Sequence, residues 1–191
     1  MDFRLSPEQN DLREFSVLDV GCGSGELLRM IAEFAVSTSR RATLVGIDLN
    51  PISSSTTNTE SADFSAISSV QGDAFQLPFA DSAFDYAIAS LFFHHLTDDQ
   101  IPIVLREMSR VARRGIVVID LHRDVVPFIG YKILCAAFRI SRLVREDGSL
   151  SIRKGFRPAE LSAIADNAGF EKRDVEQVSP GRVVLTVSHK K

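Results

Sequence analysis

Short apolar runs alternate with amphipathic stretches along most of this chain. Each run has four to seven residues and is bounded by polar or glycine-rich turns, a pattern typical of strands buried in a sheet. Continuous rather than alternating apolar residues favour mostly parallel pairing, whereas the last two runs flank Ser-Pro-Gly and indicate a hairpin. Seven segments are predicted as strands: 17–20, 43–47, 67–71, 84–89, 116–121, 175–178 and 182–188.

Helical periodicity occupies most of the intervals between these runs. Residues 26–35 and 101–112 each carry one apolar face, and Arg113, Arg114 and Gly115 are expected to close the second of these helices. Residues 155–170 place Pro158 at a helix start and Gly169 at its end. By contrast, 53–65 reads SSSTTNTESADFS, so the helix expected there is weak and we expect mobility. The alternation of strands and helices predicts an α/β fold.

Composition narrows the class of protein. The chain has 191 residues and is 45% hydrophobic, which fits a single domain over 1–191 with a short lead-in at 1–16. A net charge of −3 gives no general reason to expect a nucleic-acid partner. Cys22 and Cys135 form neither a disulfide framework nor a metal-binding spacing. With no signal-peptide pattern at the N-terminus, we expect a cytoplasmic protein, and nothing in the sequence indicates an oligomeric state.

The stretch VLDVGCGSG, residues 17–25, predicts a strand, a tight turn and a helix start. A dinucleotide-binding turn has the pattern GxGxxG, which would require glycine where Glu26 stands. Asp19 would repel a pyrophosphate, but it suits a ligand that carries an ammonium and a sulfonium. S-adenosylmethionine is such a ligand.

This DxGxGxG pattern resembles the first motif of the class I S-adenosylmethionine-dependent methyltransferases. The resemblance extends over about 17–188 and is strongest before residue 122. It implies a Rossmann-like, doubly wound, seven-stranded and mostly parallel sheet, with one antiparallel strand near the C-terminus. It also implies methyl transfer from S-adenosylmethionine to an oxygen or carbon of a small, largely apolar acceptor, as in the quinone and polyketide methyltransferases.

Acids at the ends of the second and third strands support the same cofactor. Asp48 lies 27 residues after Gly21 (48 − 21), where a βαβ unit places an acid beside a ribose, although it could instead cap the following helix. Asp73 follows the third strand, where the resemblance implies a hydrogen bond from the adenine amino group. The predicted cofactor-binding residues are Asp19, Gly21, Cys22, Gly23, Gly25, Asp48, Leu49, Asp73, Ala74 and Ser90.

Histidines follow the fourth and fifth strands. His95 or His122 is the predicted general base, because a neutral imidazole accepts a proton near neutral pH. The alternative for His122 is a surface histidine beside a helix cap. For His94 or His95 the alternative is a structural role, with its nitrogens satisfied by the backbone. No metal is expected at the pair, since adjacent side chains point apart and no acid or cysteine cluster completes a site.

Residues 123–157 form the expected insertion, in which 125–144 is amphipathic with Lys132 and Arg139 on one side. The resemblance implies a cap over the acceptor pocket. Peripheral contact with a membrane surface and plain core packing are the alternatives. Two other functions also stay open: a nicotinamide-dependent oxidoreductase on a Rossmann fold, and a non-catalytic S-adenosylmethionine-binding partner of another protein.

Overall fold

Seven strands join into one sheet in the order β3-β2-β1-β4-β5-β7-β6. The structure is a computed structural model, and it describes residues 13–123, 154–178 and 181–189. The strands are β1 Glu14–Val20, β2 Arg41–Asp48, β3 Ile67–Gln71, β4 Phe84–Ser90, β5 Ala112–Leu121, β6 Arg173–Val178 and β7 Arg182–Ser188. The described helices are α1 Glu26–Ser37, α2 Pro51–Glu60, α3 Ile101–Val111 and α4 Pro158–Asn167.

Strands β1 to β5 pair in parallel, whereas β7 runs antiparallel to both β5 and β6. The predicted seven-stranded, mostly parallel α/β sheet with an antiparallel strand near the C-terminus is therefore confirmed. Strand order reverses between β1 and β4, so the carboxyl ends of these two strands flank the crevice where open α/β sheets bind ligands.

Side chains alternate between two apolar layers, one on each face of the sheet. On one face Val17, Leu44 and Ile88 pack with Leu28 and Ala32 of α1. The other layer contains Leu18, Ala87 and Val118 together with buried residues of α3 and α4. Helices on both faces make the sheet doubly wound, as predicted.

Helix α2 forms although its sequence is almost entirely polar. Asn50 caps it by accepting a hydrogen bond from Ile52 N, and Pro51 occupies its first turn. Two side chains of the helix bond to strand β3: Ser54 Oγ donates to Val70 O, and the Asn58 amide pairs with both backbone groups of Ser69. Apolar periodicity could not reveal a helix that is docked by hydrogen bonds.

The prediction that Arg113, Arg114 and Gly115 close a helix is wrong. Helix α3 ends at Val111, and these residues belong to β5. Both arginines donate to the buried carboxylate of Asp85, at 2.8 Å and 2.7 Å. A Cβ at Gly115 would lie 2.3 Å from Val187 O, so glycine here permits the close approach of β7 instead of ending a helix.

Two ends of the described chain meet beside the last residues of β5. Phe156 N donates to Leu121 O at 2.8 Å, and Arg123 N donates to Phe156 O at 3.0 Å. Arg123 also forms an ion pair with Glu160 of α4. The segment 125–144, which includes Cys135, lies between these ends and outside the described residues, so the predicted cap stays a prediction. Most of the 1–16 lead-in is also outside the described residues.

Candidate active site

The glycine turn connects β1 to α1 with a backbone that only glycine adopts easily. Gly21, Gly23 and Gly25 have φ values of 72°, 55° and 76°. Gly21 N and Cys22 N donate to Ile47 O on the neighbouring strand, which holds the turn against the end of β2. Space also demands glycine at the first position, because a Cβ there would lie 2.6 Å from the Phe92 ring. At Gly23 an added Cβ would meet nothing within 4 Å, so this side of the turn is open.

Asp19 lies beneath this turn as an almost fully buried acid, 2% exposed. Its Oδ1 has no hydrogen-bond partner among the described residues. Burial raises the pKa of Asp19 to about 7, and the negative charge of Asp48 contributes in the same direction. A buried carboxyl group with an unused oxygen next to an open glycine turn is suited to a cationic group on a ligand.

Asp48 ends β2 and links the glycine turn to the start of α2. Its Oδ2 accepts from Gly23 N at 3.0 Å, and its Oδ1 accepts from Asn50 N at 2.9 Å. The cap of α2 is Asn50, so the alternative that Asp48 caps this helix is wrong. Each carboxylate oxygen can accept a second hydrogen bond, so both remain able to receive ligand hydroxyls.

The remaining predicted cofactor residues lie at the same edge of the sheet. Leu49 directly follows Asp48 and is 68% exposed, which gives an apolar surface beside the acid. Asp73 follows β3 and is exposed, its Oδ1 accepting from Phe75 N, while Ala74 packs against the core. Ser90 is the last residue of β4.

Cys22, in the glycine turn, is buried. Its Sγ lies 3.7 Å from Thr57 Oγ1 and 3.7 Å from Ser69 Oγ, and burial raises the pKa of its thiol.

The histidine pair after β4 has a partner that the sequence did not assign. His94 is buried, and its Nδ1 lies 2.7 Å from Oδ1 of the fully buried Asp120 at the end of β5. Because a carboxylate oxygen accepts, Nδ1 carries the proton. The expectation that backbone groups satisfy a structural histidine of this pair is therefore wrong for His94, whose Nδ1 pairs with a carboxylate. Asp120 is the penultimate residue of β5, and no local pattern in the sequence pairs it with His94.

The two predicted bases occupy different environments. His95 is exposed, and its ring lies 4.1 Å from the His94 ring, centroid to centroid. His122 follows β5 and is 6% exposed, so the alternative of a surface histidine is wrong. Its backbone N donates to Gly181 O. Leu91, at the head of the turn that carries His94 and His95, has a positive φ of 54°, an unfavourable conformation for leucine.

Within the described residues, no group of three His, Cys, Asp or Glu side chains could hold a metal ion. None of the helices in these ranges is long and apolar enough to cross a membrane.

Comparison with known proteins identifies the family. Residues 17–115 match the methyltransferase domain family, and the chain belongs to it. The expected class, that of the S-adenosylmethionine-dependent methyltransferases, is thereby confirmed. The alternative of a nicotinamide-dependent oxidoreductase has no support in this match.

Curated relatives and a solved structure are consistent with the family. Demethylmenaquinone methyltransferase of Bacillus licheniformis is 30% identical over 119 residues, covering 62% of this chain and 49% of the relative. A 2-phytyl-1,4-naphtoquinone methyltransferase of Synechococcus elongatus is 31% identical over 118 residues, covering 59% of this chain and 48% of the relative. A SAM-dependent methyltransferase from Aquifex aeolicus has a TM-score of 0.69 at 18% identity over 95% of this chain and 86% of that one, a likeness of fold. The chain spans about half the length of the curated relatives it matches.

Proposed function

We propose that this protein transfers a methyl group from S-adenosylmethionine to an oxygen or carbon of a small, largely apolar acceptor. The observation that carries the proposal is the buried Asp19 carboxyl group, whose Oδ1 has no partner in the described chain, beneath a glycine turn with an open side. This arrangement matches the ammonium of the cofactor in charge and leaves room for a ligand against the backbone.

The described residues fit the other parts of the cofactor as well. Asp48 retains acceptor capacity for two ribose hydroxyls while it holds Gly23 N. Exposed Leu49 offers an apolar surface for one face of the adenine ring, and Asp73 offers a carboxylate for the adenine amino group. Ala74 and Ser90 complete the proposed lining at the ends of β3 and β4.

Support for the acceptor comes from the relatives. Both curated relatives are named for methylating quinones, which are flat and largely apolar molecules. The family match covers 17–115, a range that contains every residue proposed to bind the cofactor.

The chemistry requires positioning and the removal of a proton. S-adenosylmethionine supplies an electrophilic methyl group, which moves to the acceptor nucleophile as the carbon–sulfur bond breaks. The chain's part is to hold donor and acceptor in line, and such positioning can supply about 7 to 11 kcal/mol of a barrier. His95 or His122 takes the proton that the acceptor oxygen or carbon loses. The Asp120–His94 pair anchors the turn that presents His95, because the buried carboxylate also accepts from His94 N at 3.2 Å.

Turnover with a reduced naphthoquinone tests the proposal. The protein is incubated with S-adenosylmethionine labelled in its methyl group, and labelled product and S-adenosylhomocysteine are quantified together. We expect both to form in equal amounts. Binding of the cofactor without turnover on a panel of quinols and phenols would favour the non-catalytic binding partner, and absence of binding would refute the proposal altogether.

A further inference from the structure

The buried hydroxyl of Thr57 contacts the glycine turn from the side of α2. Thr57 is 0% exposed, and its Oγ1 lies 2.9 Å from Gly23 O. A carbonyl oxygen only accepts, so the single hydroxyl proton of Thr57 is committed to this bond. In the contact with Cys22 Sγ at 3.7 Å, the thiol must therefore be the donor. The direction of this short chain of hydrogen bonds is fixed from Cys22 through Thr57 to the carbonyl.

Arg29 holds the next peptide group in the same manner. Its Nη1 donates to Ser24 O at 2.7 Å and to Ser61 Oγ at 3.3 Å, and its Nη2 pairs with Glu60 at 3.1 Å. One side chain of α1 thus ties the glycine turn to the C-terminal end of α2. Two consecutive carbonyl groups of the turn are held by side chains that lie outside it.

Planarity of the peptide bond transmits this restraint to the other edge of the turn. In a trans peptide the C=O of one residue and the N–H of the next point in opposite directions. With Gly23 O held toward Thr57, the N–H of Ser24 is aimed away from α2. The adjoining Gly23 position is open, since a Cβ built there meets no atom within 4 Å.

We infer that Thr57 is a positioning residue for the cofactor: by fixing the Gly23–Ser24 peptide group, it presents the Ser24 N–H to the carboxylate of the cofactor's amino-acid portion. The inference rests on the proposed function and adds a residue that makes no contact with the ligand itself. The Ser24 N–H lies just before the first turn of α1. An N–H donor at this positive end of the helix dipole attracts a carboxylate. Helix α2, docked through polar contacts, thereby contributes to cofactor affinity.

Two nucleosides that differ in the amino-acid portion test this role by calorimetry. S-adenosylhomocysteine carries the carboxylate, whereas 5′-methylthioadenosine has the same adenine and ribose but lacks it. Thr57→Val keeps the shape of the side chain and removes the hydroxyl. We expect it to weaken S-adenosylhomocysteine binding about tenfold, the equivalent of one hydrogen bond to a charged group, and to leave methylthioadenosine binding unchanged.

Matched variants separate positioning from stability. Thr57→Ser retains the donor and should restore binding. Thr59→Val removes an exposed hydroxyl from the same helix, one that donates to Ser55 O, and should change neither affinity. If Thr57→Val does not fold, Thr57→Ala gives the same comparison without a second methyl beside Cys22.

Equal weakening of both nucleosides by Thr57→Val would overturn the inference, because Thr57 would then only support the pocket as a whole. Wild-type affinity for both would overturn it too. If wild-type protein binds neither nucleoside, the proposed function itself has failed, an outcome that is recognised before any variant is compared.

Discussion

Asp19 and Asp48 lie on adjacent parallel strands, and the two acids are electrostatically coupled. Burial raises the pKa of Asp19 to about 7, with repulsion from Asp48 as the second cause. Asp19 therefore changes its charge near neutral pH, which is unusual for a carboxyl group.

Cofactor binding should release a proton below pH 7. A cationic ammonium near Asp19 stabilises the ionised carboxylate, so the pKa of Asp19 falls in the complex. Protein that is protonated before binding must lose that proton, and affinity should weaken as pH falls below 7, by up to about tenfold per pH unit. Calorimetry at pH 6 and pH 8, in buffers of different ionisation enthalpy, measures the release. Asp19→Asn removes the Asp19 contribution and leaves the cofactor's own titration as the baseline.

The same carboxyl group sets a trend in the stability of the ligand-free protein. The pKa of Asp19 is higher in the folded protein than in the unfolded chain, so the native state holds its proton more tightly. The contribution of protonated Asp19 to the free energy of unfolding is therefore full below about pH 4 and is lost as pH rises through about 7. We expect Asp19→Asn to raise the Tm at pH 8 and to have little effect at pH 4. An equal change at both pH values would contradict the assignment.

Replacement of Asp48 should reduce cofactor affinity in graded steps. Asp48→Ala removes acceptors for ribose and for Gly23 N, and the loss of hydrogen bonds to a charged group costs about 1.5 to 3 kcal/mol, or roughly 10-fold to 150-fold in affinity. Asp48→Asn retains one acceptor oxygen, so its affinity should lie between those of the wild type and Asp48→Ala. Exposed Asp63, also an acid near α2, provides the control: Asp63→Ala should bind S-adenosylhomocysteine like wild type.

The base assignment is tested by the pH dependence of turnover. His95→Ala or His122→Ala should lower turnover by about 10² to 10⁴-fold while cofactor affinity changes little, and the residual rate should climb with pH as the acceptor ionises. His189, whose Nε2 lies 2.9 Å from Ser109 Oγ, serves as a control histidine that should tolerate alanine without loss of turnover. Wild-type rates for both His95→Ala and His122→Ala from pH 6 to 9 would leave positioning as the only mechanism.

Acid should unfold this protein partly through Asp85. Burial alone would raise the pKa of Asp85, but hydrogen bonds from Arg113, Arg114 and Ser16 outweigh it and lower the pKa to about 2. The resulting stability is full above about pH 4, is lost as pH falls toward 2, and amounts to about 2 kcal/mol. Urea unfolding between pH 5 and 2 measures it. Asp85→Asn should flatten this dependence, whereas Asp81→Asn, at an exposed ion pair with Arg110, should not.

Sequence patterns predicted the centre of the sheet well because β1, β4 and β5 are largely buried and carry apolar runs. The glycine turn and the acids at 19, 48 and 73 were also recognisable, since φ angles and charge restrict those positions to few residue types. The family match then confirmed the family that the turn indicated.

Other parts could not be read from local pattern. Arg113 and Arg114 look like a cationic helix end, but their partner is Asp85, which lies 28 and 29 residues earlier in the chain. Asp120 and His94 likewise meet only because β4 and β5 are neighbours. Thr57 was hidden in a serine- and threonine-rich stretch, where hydrogen bonding to a turn leaves no periodic signal.

The joining of Leu121–Arg123 to 155–157 has a consequence for how this fold can vary. The chain leaves β5 and returns to it where Leu121 and Arg123 bond to Phe156, so we expect the intervening length to affect stability mainly through closure entropy. In general, doubling the length of a loop between fixed ends costs only about 0.6 kcal/mol in closure entropy. We therefore expect that segments of other lengths and compositions can be exchanged at this junction without loss of the sheet.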